Sequence, residues 1–391
     1  MFLGMGKMLG SITMGVAVSL VAAACGSGSS TATASQNSAQ TINVGVIISL
    51  TGPVSFAGVP EENAIKLAVS QINAAHLLGS GRTLSAHYLD DQSTAEQAGA
   101  AVRSASANSN NLAILGPTIS GNAEVMAPIA QQNKIPMLGV SANSGAIVTA
   151  PGNYVFTTPV PAQQEGQGLA SLMAQKLHYK RIFAVYARDF AGEVVNATSV
   201  INPLKTMGAS VDVSTVLTAN TDYAPVITQL KQYGPDAIYM GLNGPQAGSF
   251  MQQAASLGVH IPAFGMPPTE TSQLISNGGS AVEGMIFPAD YNPDLSTSLN
   301  KTFVSDYTKK YGSAPDDYAA LGYSSAEILA QAISKISGTV TRSKIQKSLS
   351  TTRQYDVVVG SGTASFAAQR FGNYSVEYIT VKNGKFVPYT G

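Results

Sequence analysis

Residues 44–73 read "VGVIISLTGPVSFAGVPEENAIKLAVSQIN" and contain an apolar run, a Gly-Pro loop and an amphipathic segment, in that order. The apolar run, "TINVGVIISL" (41–50), is rich in β-branched residues, which predicts a buried strand. In the segment that begins at Pro60, apolar residues recur with the helical spacing i, i+3, i+4 and i+7: Ile65, Ala68, Val69 and Ile72. The stretch therefore predicts a strand followed by a helix that packs on it.

Further β-branched apolar runs follow along the chain, and each predicts a strand. They are "TLSAHYLD" (83–90), "LAILGP" (112–117), "IPMLGVS" (135–141), "RIFAVYA" (181–187), "SVDVSTVL" (210–217), "DAIYMGL" (236–242) and "IPAFGM" (261–266). Helical patterns separate them, one of which begins with Thr94 and Gln97 at capping-box spacing. Near-continuous apolar strands separated by helices predict parallel sheets that are covered on both faces.

This strand-helix series is used twice, over residues 42–158 and again over 180–285. The polar, proline-containing segment "TTPVPAQQEGQG" (157–168) is predicted to join the two series. Residues 295–350 have helical patterns, and Asn383-Gly384 predicts a two-residue hairpin turn between two final strands. Two similar α/β lobes predict a ligand cleft between them, because open sheets bind ligands at the carboxyl ends of their strands.

The amino terminus has the layout of an export signal. Residues 1–24 carry one charge, Lys7, followed by an apolar run that ends in small residues. The competing interpretation is a membrane-spanning helix, but the run is short and weakly apolar for that purpose. Residues 26–41 are uncharged and rich in Gly, Ser and Thr, which predicts a flexible tether with a span of about 20 Å.

Composition excludes several classes of function. The chain has 391 residues, long enough for two lobes, with 22 basic and 22 acidic side chains. It has no basic stripe, which argues against a nucleic-acid partner. Cys25 is the only cysteine, so no internal disulfide can form.

Enzymatic motifs are missing from the sequence. Ser120 is not in a G-x-S-x-G motif, and the four histidines show no metal-ligand spacing. Asp90 and Asp91 precede a helix, so we expect a turn or capping role for them. The glycine-rich "SNGGSAVEG" (276–284) lacks the residues of a P-loop or dinucleotide fingerprint. We therefore expect no catalysis, no cofactor and no metal.

Several segments resemble the Leu/Ile/Val-type periplasmic solute-binding family. They are residues 44–73, "YLDDQSTAEQA" (88–98), "ILGPTISGNAEVMAPIAQQNKIPMLGVSAN" (114–143), "YARDFAGE" (186–193) and "DAIYMGLNGPQAGSFMQQAASLG" (236–258). The quartet Ala22-Ala23-Ala24-Cys25 also resembles a bacterial lipobox, in which the cysteine becomes the lipidated first residue. The alternative is a secreted protein with an incidental cysteine.

The resemblance implies the type I periplasmic binding protein fold: two Rossmann-like α/β lobes with parallel-rich sheets, a three-strand hinge and a ligand cleft between the lobes. We predict a signal peptide over 1–24 and a lipidated Cys25 with its tether over 25–41. The first lobe is predicted to comprise 42–159 plus 290–357, and the second 160–289 plus 358–391.

The resemblance also implies ligand contacts in the first lobe. Ser120 matches the position whose hydroxyl and neighbouring amides hold a ligand carboxylate, although Ser is also a common N-cap. Ser141 and Asn143 match positions that supply a carbonyl and a side-chain hydrogen bond, although Asn is also a common turn residue. Phe56, next to the directly aligned Ala57, is expected to supply an apolar wall.

In the second lobe, Phe190 matches an aromatic residue that covers the ligand, and Asn243 matches another cleft position. The alternatives are a core role for Phe190 and a loop role for Asn243. Relatives that bind amino acids hold the ammonium with an acid at the position of Pro267, and the nearest acid here is Glu270. Either Glu270 reaches the cleft, or the ligand has no ammonium group.

The predicted function is capture of a small ligand by a monomeric, exported lipoprotein of the bacterial cell membrane, which delivers it to an ABC importer permease. The expected ligand is an apolar or branched-chain amino acid. One alternative is a carboxylate or amide without an α-amine, including aromatic ones, and the other is a role as a ligand-sensing receptor.

Overall fold

A computed structural model of the protein describes residues 39–149, 152–366 and 370–391. The predicted signal peptide, Cys25 and nearly all of the tether lie outside these residues. Within the described ranges, no helix combines the length and the apolar character needed to cross a membrane.

The first lobe is built on a five-stranded parallel sheet with the order β2-β1-β3-β4-β5. Its strands are β1 (Gln40–Ile48), β2 (Arg82–Asp90), β3 (Asn111–Leu115), β4 (Met137–Gly139) and β5 (Val155–Thr157). The helices between them are α1 (Ser55–Ala74), α2 (Ala95–Ala107), α3 (Ser120–Gln132) and α4 (Ala146–Thr149). The alternation of strand and helix confirms the parallel sheet predicted from the apolar runs.

The second lobe is built on a seven-stranded sheet with the order β14-β13-β10-β9-β8-β6-β7. Its strands are β6 (Arg181–Ala187), β7 (Ser210–Val216), β8 (Ala237–Gly241), β9 (Ala263–Phe264), β10 (Ile286–Ala289), β13 (Glu377–Lys382) and β14 (Lys385–Pro388). Its α-helices are α5 (Ala162–Ser171), α6 (Ala191–Thr206), α7 (Ala224–Tyr233), α8 (Gly244–Ser256) and α9 (Ser272–Gly278). A π-helical turn (Leu172–Lys176) and two 3₁₀ turns (Pro267–Thr269 and Gly279–Val282) complete it.

Three further helices pack on the first lobe: α10 (Ser298–Tyr311), α11 (Asp317–Ser334) and α12 (Arg342–Thr351). A short antiparallel pair, β11 (Tyr355–Asp356) and β12 (Thr363–Ala364), follows them. Val358 and Phe366 belong to the same buried cluster as β1 and α11. This packing favours a lobe boundary after Phe366, and the limits of the lobes stay a prediction.

The chain passes between the lobes three times: from β5 to α5, from β10 to α10, and from β12 to β13. The crossing segments are tied to one another, because Thr157 is bridged to Phe371 and the Tyr374 hydroxyl donates to Asp290 Oδ1 at 2.6 Å. The expected two-lobe α/β fold with a three-strand connection is therefore present.

Some elements differ from the predictions. Helix α1 begins at Ser55 rather than near Pro60, and its Gly58 lies so close to β1 that an added Cβ would be 2.0 Å from the Ser49 carbonyl oxygen. The predicted linker 157–168 is helical from Ala162 onward. Its Gly166 weakens the helical pattern, yet this glycine lets α5 approach α6, where an added Cβ would meet the Ser199 hydroxyl at 2.0 Å.

Candidate functional site

A cavity lies between the two sheets, at the carboxyl ends of their strands. Its walls come from both lobes, for example Ser120 from the first and Phe190 from the second. The cavity has a volume of about 630 Å³, part of which is open to solvent.

The amino terminus of α3 forms the first-lobe wall. The backbone N–H groups of Ser120, Gly121 and Asn122 have no acceptor among the described residues. The N-cap is Ile119, which provides no side-chain cap, so Ser120 is the first helical residue and not the cap that its sequence position suggests. Unpaired N–H groups at a helix terminus attract an anion.

Two bonds hold this terminus in place. The Asn122 amide donates to the buried Asp91 carboxylate at 2.8 Å, and the Ser144 N–H donates to Ser120 Oγ at 3.2 Å. Because Ser120 Oγ accepts that bond, its own proton remains available to a ligand. Asp91 and Asp90 otherwise bind turn N–H groups and hydroxyls, which confirms their structural role.

Ser141 and Thr118 line the cavity and share one buried partner, Glu61. Ser141 Oγ donates to Glu61 Oε1 at 2.5 Å, and Thr118 Oγ1 donates to Oε2 at 2.6 Å. Burial raises the pKa of Glu61 to about 8, and the two hydroxyl bonds oppose this rise only in part. The shared carboxyl group thus fixes the orientation of both hydroxyls, and Thr118 Oγ1 also accepts the Ser49 N–H at 3.1 Å.

Asn143 links the first lobe to the second. Its amide nitrogen lies 3.4 Å from Glu165 Oε2 of α5 and 3.4 Å from Asn196 Oδ1 of α6. The Asn196 side chain also lies near the Glu193 carboxyl group and lowers its pKa in part. A side chain that lines the cavity thus joins two second-lobe helices to the end of β4.

Two second-lobe helices begin at the cavity. Phe190 is the N-cap residue of α6, and its side chain lines the cavity. Asn243 is the N-cap of α8, and its Oδ1 accepts the Gln246 N–H at 3.0 Å. Asn243 thus caps a helix, in place of the loop role considered from the sequence, and its amide nitrogen remains for a ligand.

An apolar wall completes the cavity. The rings of Phe56 and Tyr318 meet edge to face, with centroids 6.0 Å apart and planes at 82°. Val54, Ile119 and Leu321 extend this surface. The resulting pocket matches an aliphatic or aromatic group better than a sugar or a peptide.

Three acids line the cavity: Glu193, Asp290 and Asp317. Glu193 Oε2 and Asp317 Oδ1 are buried without a hydrogen-bond partner. Of the described residues, no lysine, arginine or histidine lines the cavity. Buried carboxyl oxygens without partners are costly, so a ligand with a cationic group would satisfy them.

Burial controls the protonation of these acids. It raises the pKa of Glu193 to about 7 and that of Asp290 to about 6. It also raises the pKa of Asp317, to which the nearby Asp290 charge adds. At neutral pH the site therefore holds part of its acids in the protonated form.

The structure brings together six of the seven predicted ligand contacts: Phe56, Ser120, Ser141, Asn143, Phe190 and Asn243. Glu270 is buried and has an unpartnered Oε2, but it is not among the residues that line the cavity. The predicted position of the ammonium partner is occupied by Pro267 and Pro268, which do line it.

Sequence reasoning missed Glu193, Asp290 and Asp317. Glu193 lies within the quoted segment "YARDFAGE", three residues after Phe190, so its place in the first turn of α6 was available as a signal. Asp290 and Asp317 carried no such signal. In the described parts of the chain, no group of three or more His, Cys, Asp or Glu side chains is arranged to hold a metal ion.

The sequence model described as "Periplasmic binding protein" matches residues 41–385. The chain is 25% identical over 300 residues to the leucine-, isoleucine-, valine-, threonine- and alanine-binding protein of Pseudomonas aeruginosa, covering 76% of this chain and 79% of that one.

Solved structures are similar as well. A leucine binding protein from Thermotoga maritima superimposes with a TM-score of 0.82 at 26% identity, covering 89% of this chain and 98% of the other. A solute binding protein of an ABC transporter from Rhodopseudomonas palustris, in complex with 3,4-dihydroxybenzoic acid, superimposes with a TM-score of 0.79 at 23% identity, covering 89% and 96%.

Proposed function

The chain belongs to the periplasmic binding protein family, and on that basis we propose that it captures an apolar α-amino acid between its lobes and delivers it to an ABC importer. One observation carries the choice of ligand: unpaired helix N–H groups, unpartnered acids and an apolar wall line the same small cavity. A zwitterion with an apolar side chain complements all three.

The carboxylate of the ligand binds at the amino terminus of α3. There it accepts hydrogen bonds from the free N–H groups at Ser120 and Gly121 and from the Ser120 hydroxyl. The positive end of the helix dipole adds to this attraction. No basic side chain is needed for a carboxylate that is held in this way.

The ammonium group binds to Glu193 and Asp317, the two cavity-lining acids with unpartnered oxygens. In this assignment they take over the role that the family resemblance placed at Pro267. The two acids belong to different lobes, because Glu193 is on α6 and Asp317 begins α11. An ammonium between them therefore favours the closed arrangement.

The side chain of the ligand packs against Phe56, Phe190 and Tyr318. Burying an aliphatic side chain in such a pocket contributes roughly 1.5–3 kcal/mol. Relatives named for leucine and other aliphatic amino acids support this choice.

A second candidate ligand is an aromatic carboxylate without an amine. The raised pKa values of Glu193 and Asp290 favour it, because protonated acids can donate hydrogen bonds to a neutral group. The Rhodopseudomonas palustris protein in complex with 3,4-dihydroxybenzoic acid has the same fold. Such a ligand would bind better at low pH, whereas an amino acid would bind better at high pH.

Calorimetric titration of two variants with leucine tests the ammonium site. Glu193→Gln should weaken leucine binding by at least about tenfold, because the charged partner is lost. Glu327→Gln is the matched control, since burial also raises the pKa of Glu327 to about 7 but its side chain does not line the cavity. Equal weakening by both variants would contradict the assignment.

Outside the cytoplasm, the protein acts as a lipoprotein attached through Cys25, and the importer permease receives its ligand. A receptor partner that senses the closed lobes is the alternative. The proposed activity is binding and not catalysis, so stoichiometric ligand should be recovered unchanged after incubation with the protein. Formation of product would contradict this role.

A further inference from the structure

A groove on the first lobe is lined by four exposed cations: Lys335, Lys344, Lys347 and Arg353. Hydroxyl groups such as Ser348 and Thr351 lie between them, and no acid is among the lining residues. The whole chain is balanced at 22 basic and 22 acidic residues, so this groove is a local concentration of positive charge. A concentration of one sign of charge attracts a partner of the opposite sign.

Most of this charge is available to a partner. The Lys347 ammonium and the Arg353 guanidinium make no hydrogen bond or ion pair with any residue that the structure describes. Lys344 Nζ donates to the Ser337 and Thr339 carbonyls at 3.1 and 2.9 Å, which are neutral acceptors. The positive charge of the groove is therefore not neutralised within the described protein.

The groove lies beside the point where the amino-terminal segment joins the first lobe. The Gln40 side chain accepts from the Val340 N–H at 3.0 Å and donates to the Val340 carbonyl at 3.1 Å. Arg82 Nη2 donates to the Ile336 carbonyl at 2.8 Å. Ile336 lines the groove, so the wall of the groove contacts Arg82 at the start of β2, and Arg82 pairs with Gln40 at the start of β1.

We propose that this basic groove binds the phosphate headgroups of anionic lipids in the membrane to which the chain is attached. The inference rests on the Cys25 attachment proposed above. A tether of the predicted length spans about 20 Å, which keeps the groove near the membrane surface. Confinement of this kind gives a weak electrostatic contact a high effective concentration.

The shape of the groove favours a surface as its partner. Its four cations are all exposed, and no charged group is buried within it. A free anion held tightly requires enclosure and fixed donors, whereas several exposed charges side by side match a layer of headgroups. Contact there orients the first lobe toward the membrane and leaves the ligand cleft, which is lined by other residues, accessible.

Vesicle binding tests the inference directly. The full chain with Cys25→Ser, which carries no lipid, is mixed with vesicles of phosphatidylcholine alone or with about 30% phosphatidylglycerol, at low salt. We expect at least about tenfold stronger binding to the anionic vesicles, lost at about 0.5 M NaCl. Equal binding to both kinds of vesicle would overturn the proposal, because the protein would then show no preference for anionic headgroups.

Paired charge reversals locate the contact. Lys347→Glu with Arg353→Glu should reduce the preference for anionic vesicles to near unity. The matched control, Lys205→Glu with Lys385→Glu, changes two exposed lysines of the second lobe and should keep the preference. Equal effects of the two pairs would overturn the assignment to the groove. If the first pair lowers the melting temperature, Lys347→Gln with Arg353→Gln replaces it.

The ligand-induced thermal shift, measured on the same variants, separates this inference from the proposed function. A groove variant that loses vesicle binding and keeps its ligand response supports both proposals. Vesicle binding by a chain that never responds to a ligand would leave the groove assignment intact and contradict the ligand site alone.

Discussion

Gly121 at the start of α3 faces Ala191 at the start of α6 across the cleft, and a Cβ added to Gly121 would lie 4.0 Å from the Ala191 Cβ. The first residue belongs to the first lobe and the second to the second lobe. A single carbon added at Gly121 would therefore just reach ordinary van der Waals contact, so the two helix termini lie close together with room for little more than a methyl group. The helix terminus proposed to bind the carboxylate thus faces the opposite lobe across a narrow gap.

Substitution at Gly121 should therefore control closure. Gly121→Ala fits the available space and keeps the backbone N–H, so ligand affinity should change less than about threefold. Gly121→Phe should hold the lobes apart and weaken binding by at least about a hundredfold. Small-angle scattering checks the cause: saturating ligand should reduce the radius of gyration of the wild type and the alanine variant, and leave the phenylalanine variant unchanged. Strong binding without any change in scattering would point to a rigid site.

Glu61 should make the folded state less stable as pH rises. Burial raises its pKa to about 8, so between its ordinary value and pH 8 the folded chain binds more protons than the unfolded chain. The free energy of unfolding then falls with increasing pH, by at most about 1.4 kcal/mol per pH unit for this group. Glu61→Gln removes this contribution.

Urea unfolding at about pH 5.5 and about pH 7.5 measures this effect. The loss of stability between the two values should be smaller in Glu61→Gln than in the wild type. Exposed Glu124→Gln serves as the control for a lost carboxyl group. Identical pH dependence of unfolding in all three proteins would show that folding does not raise the pKa of Glu61.

Ligand affinity should have the opposite pH dependence. Burial raises the pKa of Glu193 to about 7, and an ammonium group binds its ionised form more tightly. Leucine affinity should therefore increase between about pH 6 and about pH 8. If binding releases one proton, the increase is at most about tenfold per pH unit. Titrations in Glu193→Gln should show a smaller increase. Tighter leucine binding at the lower pH would indicate that the acids act as donors.

The proposed anchor predicts the location of the protein in the cell. Cys25→Ser should move the mature chain from the membrane fraction to the soluble fraction, because a lipidated cysteine is then missing. The melting-temperature shift on adding ligand should stay within the error of the measurement. Retention in the membrane would mean that the apolar segment before Cys25 holds the protein there.

Local signals predicted much of the fold. The Asn383-Gly384 turn joins β13 to β14 with positive φ values of 53° and 65°, as the dipeptide indicates. Thr94 caps α2 by accepting the Gln97 N–H at 3.3 Å, as its spacing indicates. By contrast, β10 contains Pro288, which normally argues against a strand, and its position between β9 and β13 depends on distant parts of the chain.

The acids of the site could not be predicted in the same way. Glu193 and Asp317 are far apart in the sequence and line one cavity only because α6 and α11 both begin there. Their raised pKa values come from burial, which a single sequence does not show. Ser120, Ser141 and Asn143 were predictable because each lies at the end of a strand or the start of a helix within a recognisable segment.

The most direct test of the proposed ligand site is calorimetric titration of the wild-type chain with leucine and with its deaminated keto acid at about pH 8. The two molecules share the carboxylate and the aliphatic side chain, so their difference isolates the ammonium group. Leucine should bind with one site per chain, and the keto acid at least about a hundredfold more weakly, because it leaves Glu193 and Asp317 unpaired. Equal or tighter binding of the keto acid would contradict the account.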